Sequence, residues 1–419
     1  MDWMKLSRRA MAPVGILAAS LAMVSLTACT RDYTLAYMYV TTAKSVPGVI
    51  DQYTVDYQSG ALVQFGTPVT AGNLPVASVT APNAESIYVV NQGDSTVQQF
   101  TIGSGGALTA KTAYPTGKMP TAVAVNTAGT FLYVTYTGGF STTNPAINAI
   151  TGVITTNASN TPMFGGLSIF PINSDGSLGT PINQQVGVGP VGVTVANFNT
   201  TVYVANQGDL NSSPVIQPIV QAFTANATTG ALTPLAGNTT EAIGSTTASG
   251  FAAGVQPSAI AEDPTGRFVY VTDEAANQLI GYVVQAGGSL LAMVDGPFAT
   301  GQYPVAVTVD PRGLYVYVSN YNARTISSYA LNTSSGAPSA VAGTTITTDP
   351  NPVSITIDPA LGVYLYTANN LASTVTGAQL NSNTGALVSI QNTPFPASGT
   401  PTSVAIAANG SHPTEVLEP

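Results

Sequence analysis

Two carboxylates stand side by side in Asp273-Glu274-Ala275-Ala276-Asn277, a pairing of residue types that could do chemistry. A carboxylate held partly out of water can serve as a general base, and a group of them can supply oxygen ligands to Ca²⁺. Asp94 and Asp209 occupy the twin phrases Asn91-Gln92-Gly93-Asp94 and Asn206-Gln207-Gly208-Asp209, where they would either add calcium-type oxygens with Asp273 or close turns. Glu262 is a lone acid at a position where comparable segments carry Val125, Val195, Val309, Ile357 and Ile406. Lys118 could polarise a carbonyl beside one of these acids. Thiol, imidazole and zinc chemistry have little to work with, because the chain holds 1 Cys and 1 His, and His412 lies in the tail Ser411-His412-Pro413-Thr414. No cofactor is required by any of these groups; Ca²⁺ is the ion they could hold.

The elements that must position them belong to a β-rich chain. Of 419 residues 44% are hydrophobic and 7% charged, with 41 Gly, 29 Pro and 19 Tyr. That charge content is far below the roughly 25% of soluble domains, while the apolar content is too high for disorder. A net charge of -9 disfavours a phosphate-backbone partner, since nucleic-acid affinity rests on Lys and Arg, so no nucleic acid is expected.

Residues 1–28 read as an export signal. Lys5, Arg8 and Arg9 form a basic start, followed by an apolar stretch from Ala10 to Leu26 that falls short of the ~20 residues of a membrane span. The segment ends Leu26-Thr27-Ala28-Cys29, which resembles the lipobox of bacterial lipoproteins and makes Cys29 the lipidated residue. Residues 29–35 are then a short tether, and the expected address is the periplasmic face of the cell envelope at the outer membrane.

Past the tether the chain repeats. A strand phrase recurs seven times, at Tyr39-Val40, Tyr88-Val89, Tyr133-Val134, Tyr203-Val204, Tyr270-Val271, Tyr317-Val318 and Tyr366-Thr367, most copies ending in Asn or Asp. A Pro-led strand of alternating small and branched residues precedes all but the first, from Pro75, Pro120, Pro190, Pro257, Pro304 and Pro352, and a last one starts at Pro401 with no copy after it. Turns such as Asp263-Pro264-Thr265-Gly266 join the two phrases, and Gly-Ala-Leu turns, as at Gly230 and Gly385, lead a fourth strand. Four-stranded units repeated seven times predict an all-β seven-bladed propeller over residues 36–410, with residues 411–419 as a tail. The orphan strand at Pro401 should complete the blade that Tyr37 to Val40 begins, sealing the ring and removing an open sheet edge.

These Tyr-Val-x-Asn phrases, Gly-x-x-Pro leads and Thr-Gly-Ala-Leu turns resemble the YVTN-repeat, lactonase-like propeller family, which includes 6-phosphogluconolactonase. The resemblance implies a seven-bladed fold and, for the family's enzymes, His, Arg and Glu side chains at the channel mouth. That set does not carry over: the body has no His, and its arginines are Arg267, Arg312 and Arg324.

Insertions pick out one face. Residues 138–166 and 208–219 join second to third strands and residues 237–256 link two blades, so all three emerge on the side where first strands begin. Asn73, Lys118, Gln256, Gln302, Tyr303 and Asn351 enter first strands there and would ring the mouth with amides and hydroxyls. Such a ring fits a carbohydrate, a peptide or an envelope protein. The expected function is a lipid-anchored, non-catalytic binding scaffold. The alternative is a lactone hydrolase using Glu274 or Asp273 with Lys118, and single-stranded DNA binding stands third.

Overall fold

A computed structural model describes residues 33–139, 163–196, 200–343 and 345–410. The signal segment, Cys29, His412 and most of the 138–166 insertion lie outside the described residues.

Seven antiparallel sheets form seven blades. Blade 1 takes its first strand from the C-terminal end: Pro401–Ala408 pairs with Thr34–Thr42, placing Ala405 opposite Tyr39 and Val404 opposite Val40. Val49–Asp56 and Leu62–Gln64 complete it. The first strands of blades 2 to 7 begin at Pro75, Pro120, Pro190, Pro257, Pro304 and Pro352, as the repeats predict. Each first strand packs against the first strand of the next blade, and these innermost strands surround the channel.

Three features depart from the simple four-strand pattern. In blades 1, 5, 6 and 7 the outer edge is two short segments rather than one strand, for example Leu290–Ala292 and Phe298–Ala299, both paired with the third strand. Every first strand carries a register shift just after its Pro, as between Pro75 and Ala77, which leaves one residue unpaired. The 237–256 insertion is not a loop: Thr239–Ile243 and Thr246–Ala252 form a hairpin over a Gly244-Ser245 turn, and its second strand joins the third strand of blade 4. Its Thr-rich, alternating sequence suits a pleated edge better than irregular coil.

The repeated Tyr and the repeated Gly turn are two halves of one lock. The hydroxyls of Tyr39, Tyr88, Tyr203, Tyr270 and Tyr317 donate to the carbonyls of Gly106, Gly176, Gly288, Gly336 and Gly385 in the next blade, at 2.6–3.1 Å. These rings are fully buried between blades. The glycines are needed for space as well as for their positive φ: a Cβ on Gly385 would sit 2.2 Å from the Tyr315 ring.

Candidate active site at the channel mouth

Five second strands end in a wholly buried Asn or Asp, at Asn91, Asn206, Asp273, Asn320 and Asn369, and two of these, Asn91 and Asp273, bond the neighbouring entry segment. The Asn91 carboxamide accepts from Gly72 N at 3.1 Å. Asp273 goes further, accepting from Val255 N at 2.8 Å, Gln256 N at 3.1 Å, Ala276 N at 3.2 Å and the Gln278 amide at 3.2 Å. Four protein donors saturate the carboxylate, so Asp273 builds the site instead of reacting in it. The Gly of the Gly-x-x-Pro lead makes room for it, since a Cβ on Gly254 would fall 2.2 Å from Asp273 Oδ2.

With Asp273 fixed, Glu274 is presented at the seam of blades 5 and 6. Its backbone N–H donates to Gln256 O at 3.0 Å. Its side chain is buried, which pushes its carboxyl above the usual glutamate range, and the Tyr303 hydroxyl donates to it. Tyr303 is itself set by two neighbours: its N–H donates to Asn277 Oδ1 at 2.7 Å, and its ring packs on Tyr321 with centroids 5.8 Å apart. It also holds φ at 59°, a left-handed conformation shared by Leu74, Met119 and Asn351 at the same pre-proline position. Such backbone strain in a bulky residue is sustained only by a surrounding structure that over-determines it.

The structure therefore brings Glu274, Gln256, Gln302 and Tyr303 to one seam and distributes the other candidates around the ring. Asn73 and Asp94 bind each other, Asn73 N to Asp94 Oδ2 at 2.6 Å and Asn73 Nδ2 to Oδ1 at 2.7 Å, and so fix the blade 2 entry. Asp209 accepts from Asn211 N at 3.0 Å within a blade 4 turn. Lys118 enters blade 3 and Asn351 blade 7. Glu262 ends the first strand of blade 5, opposite Val269, about 20 Å of strand away from Gln256 and toward the other face. Asp94, Asp209 and Asp273 thus belong to three different blades, and among the described residues no three His, Cys, Asp or Glu side chains gather as metal ligands. The calcium grouping read from the sequence is not assembled.

Two of the three arginines of the propeller body lie at the opposite face, while Arg324 sits in the second-to-third-strand turn of blade 6, on the mouth side. Arg267 pairs with Asp263 at 2.9 Å and Arg312 with Asp310 at 2.6 Å, each within a turn between first and second strands. One acid escaped the sequence reading: Glu241, on the inserted hairpin, is buried and accepts from Val188 N at 2.7 Å, holding the blade 4 entry as Asp273 holds that of blade 5. The Gln207 amide likewise donates to Pro257 O at 3.1 Å in the next blade, so the Asn-Gln-Gly-Asp phrase is framework.

These features define a seven-bladed propeller with a polar mouth and a half-dry carboxylate. A family model described as Lactonase, 7-bladed beta-propeller, matches residues 36–148 and 216–357, more than half of the chain, and the chain belongs to that family. No curated protein matches it. Among solved structures it is similar to a candidate 6-phosphogluconolactonase of Bacteroides uniformis, 18% identical over 89% of this chain and 100% of that one, with a TM-score of 0.68. A Bacteroides fragilis counterpart is 18% identical over 90% and 99%, with a TM-score of 0.66. The periplasmic gluconolactonase of Pseudomonas aeruginosa is 17% identical over 90% and 99%, with a TM-score of 0.64. At such identities the likeness shows the fold. Family membership overturns the expectation of a non-catalytic scaffold. That expectation rested on the scarcity of His and Arg, but burial can turn a carboxyl into a base without either.

Proposed function

We propose that the protein hydrolyses a lactone, with Glu274 as general base. The observation that carries this reading is the buried Glu274 carboxylate, held by the Tyr303 hydroxyl at the mouth of a Lactonase-family propeller. Glu274 takes a proton from water as the water oxygen attacks the lactone carbonyl. The ring C–O bond then breaks, the departing ring oxygen is protonated, and a hydroxy acid leaves. Raising the carboxyl above its usual range makes it a stronger base once ionised. The Tyr303 bond keeps the carboxylate aimed, and Gln302, exposed and next to Tyr303 in sequence, is an amide available to orient hydroxyl groups.

Charge supports a neutral sugar lactone over a phosphorylated one. The three insertions, residues 138–166, 208–219 and 237–256, contain no Lys or Arg. The cations of the entry segments and second-to-third-strand turns are Lys44, Lys118 and Arg324, on blades 1, 3 and 6, so no two neighbouring blades can clamp a phosphate between them. The test is kcat/KM for glucono-lactone and its 6-phosphate, in Ca²⁺ and in chelator, for wild type and Glu274→Gln. Turnover lost in the variant, with preference for the neutral lactone, is the expected result; equal turnover by the variant overturns the assignment.

The leader sequence supports export and lipid attachment at Cys29. Metabolic labelling with a fatty-acid analogue, absent in Cys29→Ala, tests that address.

A further inference from the structure

A cleft of about 590 Å³ opens at the seam of blades 7 and 1, on the face opposite the candidate active site. The equivalent space at the seam of blades 5 and 6 is filled. There the Arg267 guanidinium crosses between blades, donating to Thr333 O at 3.0 Å and Gly313 O at 3.2 Å and lying 4.9 Å over the Phe268 ring. By position in the repeat, Val363 precedes Tyr364-Leu365-Tyr366 as Arg267 precedes Phe268-Val269-Tyr270, and Tyr57 follows Asp56 as Thr333 follows Asn332. Where Arg267 crosses the seam of blades 5 and 6, the seam of blades 7 and 1 has the short aliphatic Val363, and an aromatic ring forms the facing wall.

The lining has the character of a carbohydrate subsite. Leu361, Val363 and Leu380 give an apolar floor, and Tyr57, 38% exposed, supplies a ring face. Around them stand the amides of Gln58, Gln379 and Asn383, all exposed. None of the lining residues is Asp, Glu, Lys, Arg or His, so the cleft selects against ions. Sugars present apolar C–H faces and a rim of hydroxyls, which match an aromatic wall edged by amides that both donate and accept.

The walls are also pre-set. The Asp358 carboxylate accepts from five backbone N–H groups, those of residues 360 to 364, at 2.7–3.2 Å. Asp56 caps the Tyr57 turn through Ser59 N at 2.8 Å, and Asn381 caps its own turn through Asn383 N at 3.0 Å. Little ordering is left to oppose binding.

We infer that this cleft, walled by Tyr57 and left open by Val363, is a binding site for a neutral oligosaccharide, separate from the lactone site. The experiment is calorimetric titration of the purified protein with maltohexaose, cellohexaose and chitohexaose, on wild type, Tyr57→Ala and Val363→Arg. Val363→Arg introduces the side chain type that crosses the seam of blades 5 and 6. Wild type should bind one of these sugars at millimolar concentration or below, at least tenfold more tightly than either variant. Lactone turnover and the unfolding midpoint should stay at wild-type values in Tyr57→Ala. Absence of binding by folded wild type, or binding that survives both substitutions, overturns the proposal. Turnover lost with Glu274→Gln while sugar binding persists separates the two sites.

Discussion

The Tyr366 hydroxyl donates to the Gly60 carbonyl at 2.6 Å, joining residues 306 positions apart across the seam between blade 7 and blade 1, the blade that both ends of the chain build. The bond repeats the lock found at Tyr39, Tyr88, Tyr203, Tyr270 and Tyr317, so ring closure uses the same contact as ordinary blade stacking. Removing it leaves a buried carbonyl without its donor. Tyr366→Phe should therefore cost about 1–3 kcal/mol, and Tyr270→Phe a similar amount, measured by denaturant unfolding.

Burial raises the Glu274 carboxyl, while the Tyr303 bond lowers it by stabilising the charged form. A general base works when ionised, so the acidic limb of kcat/KM should lie above the ordinary glutamate value of about 4.3. Tyr303→Phe removes the stabilising bond and should move the limb to still higher pH, and Glu274→Gln should reduce turnover about 10²-fold or more. A pH–rate series on the three proteins checks both statements.

Asp273 and Glu274 are adjacent in sequence and should behave differently. Four of the sibling positions carry Asn, at Asn91, Asn206, Asn320 and Asn369, so Asp273→Asn should fold and keep most of its turnover. Gly254→Ala should do more harm than Asp273→Asn, because its Cβ would meet Asp273 Oδ2 at 2.2 Å and its φ is +80°. Thermal unfolding and lactone turnover of the two variants distinguish a framework role from a catalytic one.

Glu241 is pushed up to about 8 by burial. The folded protein then keeps its proton between about pH 4.3 and 8, where the unfolded chain has released it, so over that window the unfolded state binds fewer protons and stability falls as pH rises. The Glu241 contribution is greatest below the unfolded value and is lost progressively up to the folded one, a change of a few kcal/mol by order of magnitude. Glu241→Gln should flatten this slope and be the more stable protein at pH 8, which unfolding midpoints from pH 5 to 8 would show.

The repeats alone determined the number of blades, the first strand of each, and the closure at Pro401, because a blade's alternation of small, branched and aromatic residues is local and is written seven times. The mouth was legible as a list, since a Pro opens every entry and Gly-x-x-Pro marks five of the seven. Choosing within the list required tertiary structure. Asp273 and Glu274 look alike in one dimension, and only the packed entry segment shows that one carboxylate is saturated by Val255, Gln256, Ala276 and Gln278 while the other meets Tyr303 from the next blade. Glu241 passed unnoticed because its hairpin lies in an insertion with no repeat to compare it with. The cleft beside Tyr57 was hidden for the opposite reason: Val363 is an ordinary aliphatic residue just before a strand until its counterpart, Arg267, is seen crossing another seam. Local pattern specifies which strands form; burial and partnership, which decide whether a carboxylate reacts or braces, depend on residues that sequence separates and folding brings together.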